Sequence, residues 1–181
     1  MSSPGTATIL RHWREAVPDD RLAHLVKDAT RALVRALQMR LAGHKVSFGH
    51  WTFLRILWEG DGLTQRELSE EAGVMEPTTF TALKAMERLG YIARRQVGGD
   101  RKKVYVFLTP EGRALKRELV PLAEQVNAVA ARGVRKADIV VTRAVLLAII
   151  ENLAREDAVQ DKRMPSTRAL ARLGTKRKRR R

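Results

Sequence analysis

The sequence predicts a mostly α-helical fold carrying one small β-hairpin, within 181 residues. Three observations lead there. Apolar residues recur at helical spacing over long stretches, both before residue 60 and after residue 109. Between those stretches lie two helical segments separated by a glycine-containing turn. Directly after them come two strand-like runs around a Gly-Gly-Asp turn.

The elements follow in order. Residues 1–20, with Pro4, Gly5 and Pro18, read as an N-terminal arm. Residues 21–42 form an amphipathic helix, because Leu22, Leu25, Val26, Ala29, Leu33, Leu37 and Leu41 fall on one face; Gly43 is its expected stop. Ser47 is placed to cap a second helix that Gly60 closes, and this helix holds Phe48, Trp51, Phe53 and Trp58. Thr64 and Glu67 have capping-box spacing just ahead of Leu68 and Ala72, and Gly73 ends that short helix. Pro77 suits the first position of the next helix, which runs to Leu89 and stops at Gly90.

IARRQV and RKKVYVFL then make the hairpin. Thr109, Pro110 and Glu111 open a long helix toward Ala131, which Pro121 is expected to bend or shift in register. The last helix, 137–154, is apolar nearly all round, which argues for burial against a second subunit. The organisation predicted is therefore an arm (1–20), a helical dimerisation region (21–46 and 109–156), a lobe of short helices and a hairpin (47–108) and a basic disordered tail (157–181).

Charge narrows the function. The formal net charge is +15, and residues 164–181 hold eight Lys or Arg and no acid, leaving +7 on the remainder. The body is thus basic without its tail, and a polyanion is the expected partner. No cysteine is present, which removes disulfides, thiolate metal sites and thiol switches. Four histidines without close pairing predict no metal site, and no cofactor is expected. No nucleophile elbow, zinc-protease motif, P-loop or dinucleotide fingerprint occurs, so no enzyme is expected. No apolar run is long enough to span a membrane and no signal peptide is evident, so a cytoplasmic setting is expected.

A helix-turn-helix followed at once by a hairpin is a winged helix. LTQRELSEEAGV (63–74), MERLGYI (86–92) and DRKKVYVFLTPEG (100–112) together resemble the MarR family of transcriptional regulators, over roughly residues 21–156. Asp100, Leu108, Thr109 and Gly112 fit that family's pattern of an Asp-x-Arg wing tip followed by Leu-Thr-x-x-Gly. Two positions depart from it. Lys102 stands where arginine is usual, and Phe80-Thr81 stands where the family often has Thr-Arg, so base reading by that arginine is not carried over.

The resemblance implies a homodimer on double-stranded, pseudo-palindromic DNA. The residues expected at DNA are Thr64, Gln65, Pro77, Thr78, Thr79, Thr81 and Lys84 from the helix-turn-helix. The wing is expected to add Arg94, Arg95, Asp100, Arg101 and Lys102, with Arg101 or Lys102 in the minor groove. It also implies a repressor released by a small aromatic acid. His24, Asp28 and Arg31 on the first helix, with His50, Trp51 and Phe53 on the second, are the expected effector contacts, a ring stacking on Trp51 and a carboxylate meeting His50 or Arg31. The alternative is an architectural protein that coats nucleic acid through its basic tail without an operator.

Overall fold

The computed structural model describes Arg11 and residues 22–96 and 103–160, with side chains as far as Asp157. The chain divides into two compact units, one through Arg132 and one from Gly133 onward.

The first unit begins with α1 (Leu22–Leu41), of which Leu37 and Leu41 are buried. The stop is not at Gly43. A 3-10 turn, Ala42–His44, carries the chain one step further, and Lys45 takes the left-handed conformation at φ 58°. The turn closes through Lys45 N–H to the Ala42 carbonyl (3.1 Å) and Val46 N–H to the Leu41 carbonyl (3.3 Å). These bonds offset the roughly 1–2 kcal/mol that a residue with a Cβ loses in that region.

Helix α2 (Phe48–Glu59) starts at Ser47, whose Oγ accepts the His50 amide (3.1 Å) while the Ser47 amide donates to His50 Nδ1 (3.4 Å). Trp51, Phe53, Leu54 and Leu57 point into the core. Trp51 meets Trp58 edge-on, with ring centroids 5.7 Å apart, and Trp58 Nε1 donates to the Gly112 carbonyl (2.9 Å).

A two-residue strand that the sequence reading did not anticipate follows, β1 (Leu63–Thr64). It pairs antiparallel with β3 (Val104–Leu108), which pairs on its other side with β2 (Ile92–Gln96), giving the sheet order β1-β3-β2. Between β1 and β2 lie α3 (Gln65–Ala72) and α4 (Glu76–Arg88). Gly73, at φ 62°, makes the turn after α3, and α4 begins one residue before Pro77.

Helix α5 (Pro110–Ala130) is capped by Thr109 and runs through Pro121 as one helix. Its Gly112 is obligatory: a Cβ there would lie 2.0 Å from the Tyr91 carbonyl oxygen. Asp61 ties β3 to α5, accepting from the Leu108 amide (2.9 Å) and pairing with Arg113 (2.6 Å). One core of leucines, Phe53, Trp51, Met86, Tyr91 and Ile92 joins all these elements.

The second unit is α6 (Lys136–Gln160), opened by an Arg135–Asp138 ion pair (2.7 Å). It runs past the expected end at 154 and takes in 157–160, residues expected to belong to the tail. None of its described side chains is buried. Ile139, Val140, Val141, Val145, Leu147, Ile150 and Leu153 all face outward.

Candidate nucleic-acid interface

Helix α4 has two unlike faces. Thr79, Leu83 and Met86 are buried on one, each with no exposed surface. Pro77, Thr78, Phe80, Thr81, Lys84 and Arg88 are exposed around the rest of the helix. The phase is set by helical periodicity, since 79, 83 and 86 share a side and 77, 81, 84 and 88 share the opposite one. The helix N-terminus has no side-chain cap; Pro77 carries no amide proton, the Thr78 and Thr79 amides donate to the Met75 carbonyl (2.9 and 3.2 Å), and Glu76 sits in the first turn.

Thr79 therefore differs from expectation. It is a packing residue, its hydroxyl 2.8 Å from Ser69 Oγ in a hydrogen bond that locks α3 onto α4. Thr64 is also occupied locally. It caps α3, with its hydroxyl and amide both donating to the Glu67 carboxylate at 2.7 Å. Those bonds hold the Glu67 carboxyl below the usual carboxylate range, with Lys103 adding a smaller charge contribution. The base of the wing therefore lies beside the start of the helix-turn-helix. Gln65 is half-buried. Thr81 donates to the Pro77 carbonyl (3.0 Å), leaving its oxygen able to accept.

On the wing, Arg94 is not a free cation. Its guanidinium pairs with Glu87 on α4 (Nε to Oε2, 3.0 Å), lowering the Glu87 carboxyl and raising its own pKa. It braces the wing against the helix and is a weak candidate for phosphate. Lys84, Arg88 and Arg95 are exposed and form no ion pair among the described residues. Asp100, Arg101 and Lys102 lie outside the described residues. Arg88 and Lys103 were missed as candidates. The signal for Arg88 was its place one turn after Lys84 on the same face.

The expected effector cluster is not assembled. Trp51 and Phe53 are core residues, 6% and 3% exposed, because α2 buries that face against the other helices and leaves no ring face for a ligand. His50 lines a shallow concavity of about 510 Å³ with Ser47, Pro77, Thr78, Thr81, Ala82 and Ala85, on the α4 side of α2. Burial pushes its imidazole below the ordinary histidine value. His24, Asp28 and Arg31 lie on α1, and none of them lines that concavity. A different hollow, of about 500 Å³, is formed where the α1–α2 corner meets α5, by His44, Lys45, Tyr91, Glu111 and Glu118 among others. In it His44 Nδ1 sits 3.1 Å from the Glu118 carboxylate.

Among the described residues no group of three histidine or carboxylate side chains is placed to hold a metal, and no helix is long and apolar enough to cross a membrane.

Two helices locked at Ser69 and Thr79, the second presenting a polar and basic face, and an antiparallel hairpin braced to it define a winged helix-turn-helix protein. Residues 46–104 carry a domain that matches the model of the MarR family. It is 32% identical over 101 residues to the HTH-type transcriptional regulator TtmR of Methylorubrum extorquens, a match covering 56% of this chain and 52% of TtmR. The chain thus spans about half the length of that relative.

Two solved structures share the fold. One is a putative MarR-family regulator from Listeria monocytogenes in complex with a 26mer DNA, 24% identical with a TM-score of 0.69, covering 80% of this chain and 97% of that one. The other is Bordetella bronchiseptica BpsR, whose DNA binding is regulated by 6-hydroxynicotinic acid, 24% identical with a TM-score of 0.65, covering 74% and 97%.

Proposed function

We propose that this chain is a sequence-specific DNA-binding transcriptional regulator that acts as a homodimer. The observation that carries the reading is α4, fixed by its buried Thr79, Leu83 and Met86 and presenting Thr78, Thr81, Lys84 and Arg88 on its outer side. Such a helix fits the major groove, with these exposed polar and basic side chains toward phosphate or base edges. Arg95 and Lys103 give the wing charge for the neighbouring backbone or minor groove, and the sequence adds Arg101 and Lys102 between the two strands. Dimerisation is supported by α6, whose apolar surface is uncovered, and by an apolar groove of about 380 Å³ lined by Ala29, Leu33, Ala36, Val126 and Val129. Two lobes would meet half-sites ~34–36 Å apart, one turn of the duplex.

A repressor released by a small aromatic carboxylate remains the preferred regulatory reading, supported by the stated behaviour of BpsR. Its site moves from the expected cluster to the hollow at the α1–α2 corner. There Lys45 offers a cation and Tyr91 a ring edge, while Glu118 is already engaged by His44.

The test is a gel-shift series across salt concentrations with excess non-specific competitor DNA. A specific complex should survive the competitor, and Lys84→Ala and Arg101→Ala should each lower the log–log salt slope by ~1. Binding abolished equally by any competitor would favour an architectural protein instead. Titration calorimetry with hydroxybenzoates and 6-hydroxynicotinic acid should give heat that Lys45→Ala removes; no heat from any of them would end the effector reading.

A further inference from the structure

We infer that Phe80 is a base-reading residue that takes the 5-methyl group of a thymine in the major groove. The inference rests on the regulator reading and adds to it a specificity that nothing about the fold alone supplies.

The phase of α4 decides where Phe80 can go. Thr79, its neighbour, is fully buried, and so are Leu83 and Met86, which places the core on one side of the helix. Phe80 is turned about 100° from Thr79 and keeps 47% of its surface exposed. The core does not require it, because Leu68, Leu83 and Met86 already close that side without any exposed surface. Phe80 is the only exposed phenylalanine, tyrosine or tryptophan ring among the described residues, and it stands among the polar and charged side chains of α4.

The surroundings say what covers this ring. Thr81, Lys84 and Arg88 accompany Phe80 on the exposed part of α4, and Lys84 and Arg88 have no acidic partner among the described residues. A protein partner seated there would have to desolvate those two cations; a duplex would neutralise them with phosphate while the ring lay against base edges. Among the major-groove base edges, which present donors and acceptors, the C5-methyl group of thymine is the one apolar substituent. A ring with no hydrogen-bonding atom would strip water from a guanine or cytosine edge and return nothing, which disfavours G·C at that position. Phe80 thus selects thymine by attraction and excludes the other bases by leaving their polar atoms unpaired.

The test uses the full chain and a duplex that it enriches from a random-sequence pool. Each thymine of the enriched duplex is replaced in turn by uracil, which removes the methyl group and nothing else. At one thymine in each half-site, wild-type affinity should fall about fourfold, the effect of one lost methyl contact. Phe80→Ala should bind the thymine and uracil duplexes alike, with an unchanged salt slope because no phosphate contact is lost. Phe80→Leu, which keeps an apolar side chain, should restore part of the discrimination. Uracil duplexes binding as tightly as thymine at every position would overturn the inference, as would Phe80→Ala retaining the preference. A chain that enriches no sequence at all would fail the regulator reading itself and this inference with it; enrichment without methyl dependence would fail only the inference.

Discussion

The winged lobe and α6 both carry many apolar residues, yet they treat them in opposite ways. In the lobe and the helices packed on it, Leu54, Leu57, Leu68, Leu83 and Met86 are all sealed, each at no more than 1% exposure. In α6, Val140, Ile150 and Leu153 are each more than half exposed, and none of its described side chains is buried. The lobe's periodicity gives it an inside, because three or four apolar positions per two turns can face a common core. An all-round apolar helix has no preferred inside and needs surfaces on several sides. The described part of the lobe shares one core with the helices packed on it, whereas the described part of α6 buries none of its apolar side chains. That contrast underlies the proposal that DNA reading resides in the lobe and half-site spacing in the dimer.

Breaking the lobe should have the largest effect. Leu83→Ala removes a fully buried side chain between α4 and the core and should destabilise folding by about 2–5 kcal/mol, read from urea unfolding. Gly112→Ala comes next, at about 1–3 kcal/mol, because the new methyl must push apart α5 and the Tyr91 carbonyl. A melting temperature unchanged by that substitution would mean the close approach does not exist. In α6 the outcome should be of another kind. Leu147→Glu should weaken self-association at least tenfold in sedimentation, while unfolding of the dilute protein shifts by no more than about 0.5 kcal/mol. An equal loss of stability at all protein concentrations would erase the distinction between the two regions.

The smallest effect concerns pH. Burial lowers the His50 pKa below its unfolded value, so the neutral ring is favoured in the folded state. The stability this gives is present above the unfolded value of about 6.5 and is lost as pH falls from there through the lower folded value. Protonation also removes the Nδ1 lone pair that accepts the Ser47 amide. His50→Gln keeps an acceptor at that position and removes the titration, so the variant should melt with less pH dependence between about pH 7 and 5. Glu67 and Glu87, whose carboxyls are lowered by their partners, lose their contributions only as pH falls below about 4.5, outside that window.

What the sequence made legible was local. Ser47, Thr64 and Thr109 were readable as caps because a cap is a pattern within four residues, and each accepts its expected amide. The helix-turn-helix and the hairpin were readable for the same reason. The two-residue strand β1 was not, since Leu63 and Thr64 gain strand character only from Val106 and Tyr105, distant in the chain. The stop at Lys45 was hidden because Gly43 offered the more obvious left-handed residue. Thr79 was misjudged by one step of helical phase, which places its hydroxyl on Ser69 rather than outward. The effector cluster failed for a tertiary reason. His50, Trp51 and Phe53 are consecutive or nearly so, but a helix sends them in different directions, two into the core and one toward α4.

The most direct measurement of the central claim is a hydroxyl-radical footprint of the full chain on a duplex it has enriched from a random pool. Two protected patches on one face of the DNA, one helical turn apart, with Leu147→Glu reducing protection of both, are the predicted result. Uniform protection along the duplex, indifferent to sequence and to Leu147→Glu, would contradict it.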